Sequence, residues 1–223
     1  MDASIVVENI PVYAKAALIT LRIAAFGIAA AIAIGLVGAV IKYFHIPVLR
    51  QIVQAYIELS RNTPLLVQLF FLYFGLPKLG VVLSSETCAV IGLAFLGGGY
   101  MAEAIRTGLE AVAGIQLRSS LSLGLTRLQA MRHVIVPQAT AIALPAVAAN
   151  MIFLVKETSV VGVVAVPELV FTAKEQIGQA YQTQEALLLL VVFYLVILLP
   201  LSLIAGYAER KVRARVFGPQ HSS

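Results

Sequence analysis

Residues 23–41, 134–155 and 186–208 run for 19, 22 and 23 positions without one charged side chain. A helix rises ~1.5 Å per residue and the hydrocarbon layer of a bilayer is ~30 Å thick, so about twenty such residues cross it. These runs decide the class before any motif is considered: an all-α integral membrane protein. The whole chain agrees, with 60% hydrophobic and 12% charged residues and a mean hydropathy of +0.94. A soluble domain of this length keeps more charge on its surface.

The net charge of +5 is better explained by membrane topology than by nucleic acid, because the basic residues cluster beside apolar segments. Ten of them collect on one side: Lys42, Arg50, the group from Arg106 to Arg132, and Arg210, Lys211, Arg213 and Arg215. Three, namely Lys15, Lys78 and Lys174, fall on the other. This bias predicts an outside N-terminus and a cytoplasmic C-terminus. The opening MDASIVVENIP carries Asp2 and Glu8 in place of a basic start, so the first apolar segment is expected to stay as a span.

Spans are predicted over about 15–41, 52–76, 87–106, 134–166 and 186–208, within a single domain over 1–223. Small residues in the first, such as Ala29, Gly35 and Gly38, suit close helix packing where lipid gives no hydrophobic drive between helices. In the second and third, Glu58 and Arg61, then Glu103 and Arg106, stand three apart on one helical face. Both pairs are expected to be structural ion pairs, each charge being costly in lipid alone. Pro64 stands inside the second and Pro77 marks the exit from it, and Ser84-Ser85-Glu86 reads as the cap that starts the third. Residues 167–185 are expected to form an outer loop. Cys88, the lone cysteine, sits in an apolar run and is expected to be a buried thiol.

The chain has no Gly-Lys pair, no HExxH and no CxxC, so it offers neither a phosphate loop nor a zinc site. No metal, no cofactor and no enzymatic activity of its own are expected. The loop 109–133 is different in kind. Arg118, Arg127, Arg132 and His133 keep it out of lipid, while Leu121, Leu125 and Leu128 recur at helical spacing around Gly124. That pattern predicts a short amphipathic helix with a turn at Gly124. Ser119 and Ser120 are small enough for another surface to approach their backbone.

From Gly124, nine residues lead to Val134, Ile135, Val136 and Pro137. This spacing resembles the signature loop of the permease subunits of ATP-binding cassette importers, Glu-Ala-Ala, three residues, Gly, nine residues, aliphatic-x-aliphatic-Pro. Arg118, Ser119 and Ser120 stand where that family has Glu, Ala and Ala, so one charge is reversed. The run Arg61-Asn62-Thr63-Pro64-Leu65-Leu66 and the tetrad Lys156-Glu157-Thr158-Ser159 are similar to its polar amino acid branch. The resemblance implies a five-span bundle with a cytoplasmic coupling helix between spans 3 and 4, in the bacterial inner membrane. It further implies that Arg118, Ser119, Ser120, Gly124 and Leu125 dock on an ATPase subunit. The implied partners are two ATP-binding cassette subunits, which bind ATP and Mg, a second permease chain, identical or paralogous, and an extracytoplasmic amino acid-binding protein.

Lys156 and Glu157 interrupt an apolar stretch, and an isolated charge at mid-bilayer costs ~2.5–3.5 kcal/mol on insertion scales. The tetrad marks either a break inside the membrane or the outer part of span four. Adjacent helical residues point about 100° apart, so the two do not neutralise each other directly. A zwitterionic amino acid supplies both partners, its carboxylate to Lys156 and its ammonium to Glu157. Alternatively both bond elsewhere in the bundle and hold helices in register. Lys156, Glu157, Thr158, Ser159 and Asn150 are the candidate substrate contacts. The functional reading is the membrane subunit of an ATP-driven amino acid importer; the alternative is a secondary transporter or channel driven by an ion gradient.

Overall fold

The structure is a computed structural model that describes residues 2–218. Among them the chain forms eight α-helices, two π-helical turns and two 3₁₀ segments, with no strand. The helices are α1 (Ala3–Tyr43), α2 (Leu49–Asn62), α3 (Leu65–Phe70), α4 (Ser85–Ser122), α5 (Arg127–Ala130), α6 (Val136–Glu157), α7 (Leu169–Ala180) and α8 (Thr183–Phe217). Four stretches are long and apolar enough to cross a membrane: Ala3–Tyr43, Ser85–Val112, Arg127–Val164 and Thr183–Val216.

The second predicted span is not one helix. It breaks at Thr63 and Pro64, whose extended backbone separates α2 from α3. Proline lacks the amide proton a continuing helix needs, and it pushes the preceding residue out of the α region. The Gln68 side chain repairs the break. Its amide nitrogen donates to the backbone oxygens of Ser60 (3.2 Å) and Thr63 (3.0 Å). Beyond α3 the chain tightens through a π turn (Phe71–Gly75) and a 3₁₀ turn (Leu76–Leu79).

α4 is the axis of the bundle, with α1, α2 and α6 packed on it. It starts where Ser84 accepts a hydrogen bond from the Thr87 amide, and it runs sixteen residues past the predicted end at Arg106. Gly97, Gly98 and Gly99 let three neighbours close on successive residues. A methyl group on Gly97 would meet Leu154 of α6 and Ala31 of α1; on Gly98, Tyr56 of α2 and Ile34 of α1; on Gly99, Ser60 of α2. The main core gathers Ile23, Leu69, Leu93, Met101, Leu154 and Val161 around this axis. Cys88 lies fully buried in α4.

The predicted outer loop 167–185 instead holds α7. Glu168 starts it, its carboxylate accepting from the amides of Val170 and Phe171 at 2.8 Å each. Leu169 and Ala173 then pack against Tyr13, Ala16 and Ala17 of α1 and Leu189 of α8. Tyr13 ties the group together by donating to Gln176 (2.9 Å). A half-polar segment becomes a helix here because one face finds apolar cover.

Candidate functional site: two adjoining cavities and an apolar knuckle

Pro64 and the tetrad at residues 156–159 meet in space. At the end of α6 the helix tightens from α to 3₁₀ at Thr158 and stops at Ala165, which adopts a left-handed φ of 59°. The tetrad therefore sits at a change of helical winding, such as recurs at functional positions. A cavity of about 440 Å³ opens between this region, the Thr63–Pro64 break and α4. Arg61, Asn62, Tyr100, Phe153, Glu157 and Val160 are among its lining residues. It thus pairs one cationic and one anionic side chain with two aromatic rings.

The five candidate contacts separate into different settings. Glu157 is half-buried and lines the cavity. Lys156 is exposed on the next helical position and has no ion-pair or hydrogen-bond partner among the described residues. Thr158 is buried, its hydroxyl donating to the Val155 oxygen at 2.7 Å. Ser159 is half-buried, and Asn150 donates to the backbone oxygen of Tyr100 at 3.3 Å.

The two expected ion pairs have different fates. Glu103 and Arg106 pair, Arg106 reaches on to Glu110, and Lys42 approaches Glu103 at 3.6 Å. Glu58 and Arg61 do not pair. Glu58 accepts from Gln54 at 2.5 Å, and Gln54 in turn accepts from Lys42 at 2.6 Å. Arg61 instead lies over the Tyr100 ring, 5.1 Å from its centroid. The i,i+3 spacing permits a pair but does not compel one, and an aromatic face on the neighbouring helix competes for the guanidinium.

A second cavity, of about 540 Å³, adjoins the first. Lys42, Arg50, Glu58, Glu103, Arg106 and Glu110 line it, and it shares Arg61, Asn62 and Tyr100 with the cavity beside Glu157. The Asn62–Thr63–Pro64 block was conspicuous in the sequence, but the roles of Tyr100 and Phe153 were not. The Gly97–Gly99 run beside Tyr100 was the available signal, since it marks where α4 is closely surrounded.

The loop between α4 and α6 is a helix end, the expected turn at Gly124, and a short capped helix beyond it. The amide of Leu125 bonds to the Ser120 oxygen (3.1 Å) and that of Gly124 to the Leu121 oxygen (3.0 Å). With Gly124 at φ 84°, this is a Schellman ending, which favours glycine at its left-handed position. Thr126 and Gln129 then form a capping box that starts α5. Both stop and start were written in the sequence beneath the leucine spacing.

Leu121, Leu123 and Leu128 consequently project from the turn, Leu123 and Leu128 being 83% and 78% exposed. Ser120 is buried, and Arg118 donates to the Gly114 oxygen at 3.1 Å. An apolar tip flanked by Arg118 and Arg127 suits a groove on another protein.

Comparison with known proteins connects these two features. Residues 31–214 match the family described as the binding-protein-dependent transport system inner membrane component. The probable amino-acid ABC transporter permease protein PatM of Vibrio harveyi is 36% identical over 214 residues, covering 95% of this chain and 96% of its own. The probable glutamine ABC transporter permease protein GlnM of Bacillus subtilis (strain 168) is 32% identical over 212 residues, 95% and 98% of the two chains. A permease chain in the crystal structure of an amino acid ABC transporter with histidines superimposes with a TM-score of 0.88 at 32% identity, over 95% of this chain and 99% of that one. An apolar bundle, a cavity carrying Arg61 and Glu157 at its helix breaks and a projecting knuckle are thus found in a chain that belongs to the family of binding-protein-dependent transport system inner membrane components.

Proposed function

We propose that this chain is the membrane-spanning subunit of an ATP-driven importer of a polar amino acid. The observation that carries the reading is the cavity where Arg61 and Glu157 line one space beside two aromatic rings. An α-amino acid presents a carboxylate, an ammonium and a side chain, and these answer a guanidinium, a carboxylate and an apolar wall. The full-length match to amino acid permeases supports the same cargo class. Thr158 and Asn150 bond to the backbone of Val155 and Tyr100 beside this cavity, Ser159 is half-buried next to them, and Lys156 is exposed outside its lining.

In this reading the broken α2–α3 segment joins the four long helices to make five crossings. α4, at 38 residues, is about 57 Å long at ~1.5 Å per residue, well beyond the ~30 Å apolar layer. Its far end therefore carries the Gly124 turn out of the bilayer into the cytoplasm, on the side richer in basic residues. There Arg118, Ser119, Gly124 and Leu125 dock on an ATPase subunit, while Ser120, buried against its own chain, supports the turn from within. The assembly holds two such subunits, with ATP and Mg in them, a second permease chain and an extracytoplasmic binding protein. Closure of the ATPase pair moves the knuckles together and turns the cavity outward.

Reconstitution of the chain with its copurifying partners into liposomes tests the proposal. Uptake of labelled amino acids should require ATP, stop with vanadate and survive a protonophore. Uptake that survives vanadate and collapses with the protonophore would overturn it.

A further inference from the structure

The cavity beside Glu157 and the ion-lined cavity beyond it are neighbours with a common wall. Arg61 and Tyr100 belong to both. The wall is a stack drawn from three helices: the Arg61 guanidinium of α2 over the Tyr100 ring of α4, and that ring edge-on to Phe153 of α6 at 5.4 Å. The Tyr100 backbone is pinned by Asn150 of α6.

The charges around the second cavity are unequally committed. Glu103 is engaged by both Lys42 and Arg106, Glu110 by Arg106, and Glu58 by Gln54. Arg50 and Arg61 have no carboxylate partner among the described residues. Arg61 is the uncommitted cation that borders both spaces. It rests on an aromatic face, an attraction weaker than two hydrogen bonds to a carboxylate.

We infer that the ion-lined cavity is a second station for the cargo and that Arg61 holds the cargo's carboxylate in both, passing it from the Glu157 side to the Lys42–Glu103–Arg106 side. Tyr100 is the platform on which the guanidinium rests when no carboxylate is present. The inference deepens the proposed function and rests on it. It gives Arg61 a binding task in place of a static pair with Glu58, and it limits the cargo to molecules with a free carboxylate. No covalent step is involved.

Thiol protection tests it in the reconstituted complex. The native Cys88 is fully buried, so it leaves a low background. V160C reports on the first cavity and R50C on the second, Arg50 having no ion pair to lose. The probe is a mixture of the L-amino acids other than cysteine, whose own thiol would consume the reagent, compared with the same mixture of their decarboxylated amines. The amino acids should slow alkylation at both positions and the amines at neither. Arg61→Gln should raise the half-protecting concentration roughly tenfold or more at both positions, as expected for losing a charge-assisted contact. Arg61→Lys should recover part of that loss, and copurification of the partner subunits reports folding. Protection at V160C alone, or unchanged protection in Arg61→Gln, would overturn the second station while leaving the importer reading intact. Absence of protection at both positions would overturn both.

Discussion

The Arg61 guanidinium lies 5.1 Å from the centre of the Tyr100 ring, on a helix that packs against its own. A charge three residues from Glu58 thus turns away from it and onto an aromatic face. The stack sits where the two cavities meet, so its integrity should matter to passage more than to folding. Tyr100→Phe keeps the face, whereas Tyr100→Leu removes it. Uptake by reconstituted complex should stay within about twofold in the first and fall about two- to fivefold in the second, since a cation–π contact made by an exposed guanidinium is worth ~0.5–1 kcal/mol. Equal effects would assign the role to the hydroxyl instead.

Gly124 holds a left-handed φ of 84° with nothing within 4 Å of where a side chain would begin. Substitution meets no steric block, only backbone strain of about 1–2 kcal/mol. Gly124→Val should therefore insert normally and yet reshape the knuckle. Uptake should drop about tenfold while ATP hydrolysis persists, with Gly124→Asn milder because asparagine tolerates this conformation. Normal uptake by the valine variant would mean that this turn transmits nothing.

Packing and function separate at the glycines of α4. A β-carbon on Gly97 would come within 2.6 Å of Leu154 and 2.7 Å of Ala31, whereas one on Gly206 of α8 meets nothing within 4 Å. Gly97→Val should lower stability by about 1–3 kcal/mol, the usual range for overpacking. Gly206→Val should leave it nearly unchanged. Thermal melting in detergent, followed by size-exclusion chromatography, distinguishes them.

Lys156 is exposed and unpaired among the described residues, so its loss should not unsettle the fold. Lys156→Ala should change stability by less than about 0.5 kcal/mol. A contact with cargo would still show as a half-saturating concentration raised roughly tenfold. Unaltered uptake kinetics would remove Lys156 from the pathway and leave Glu157 as the charged member of the tetrad that faces the cavity.

Glu168, at the start of α7 and outside the four long apolar helices, is buried. Burial pushes its carboxyl up to about 7, against the opposing pull of two backbone amides and of Lys174. A raised carboxyl pKa favours the folded state while the group is protonated. That contribution is complete below the ordinary value of 4.5 and fades as pH rises through about 7. Thermal stability should decline across that interval, and Glu168→Gln should flatten the decline. A profile equally steep in the variant would place the titrating group elsewhere.

The class of the fold was legible because lipid imposes a one-dimensional rule. Charge-free runs of about twenty residues must be helices wherever they cross, whatever surrounds them. The same local logic was available at Gly124 and at Thr126 with Gln129, a helix stop followed by a helix start. The turn at Gly124 was expected on that ground, whereas the leucine spacing hid the second helix start at Thr126. α7 was hidden for another reason: its helicity depends on the cover that Tyr13 and Leu189 supply from distant parts of the chain.

The site divides in the same way. Sequence alone determined that Lys156 and Glu157 interrupt an apolar segment and that Pro64 ends a helix, because charge and a missing amide proton act wherever the residue lies. It also determined that this chain carries no phosphate loop of its own. Only the tertiary structure decided that Glu157 faces the cavity while Lys156 faces away, that Arg61 chooses Tyr100 over Glu58, and that the two cavities share a wall. A side chain's partner is settled by whatever the packed helices bring within reach. For α4 that proximity is created by glycines 97 to 99, whose missing side chains let three helices approach at once.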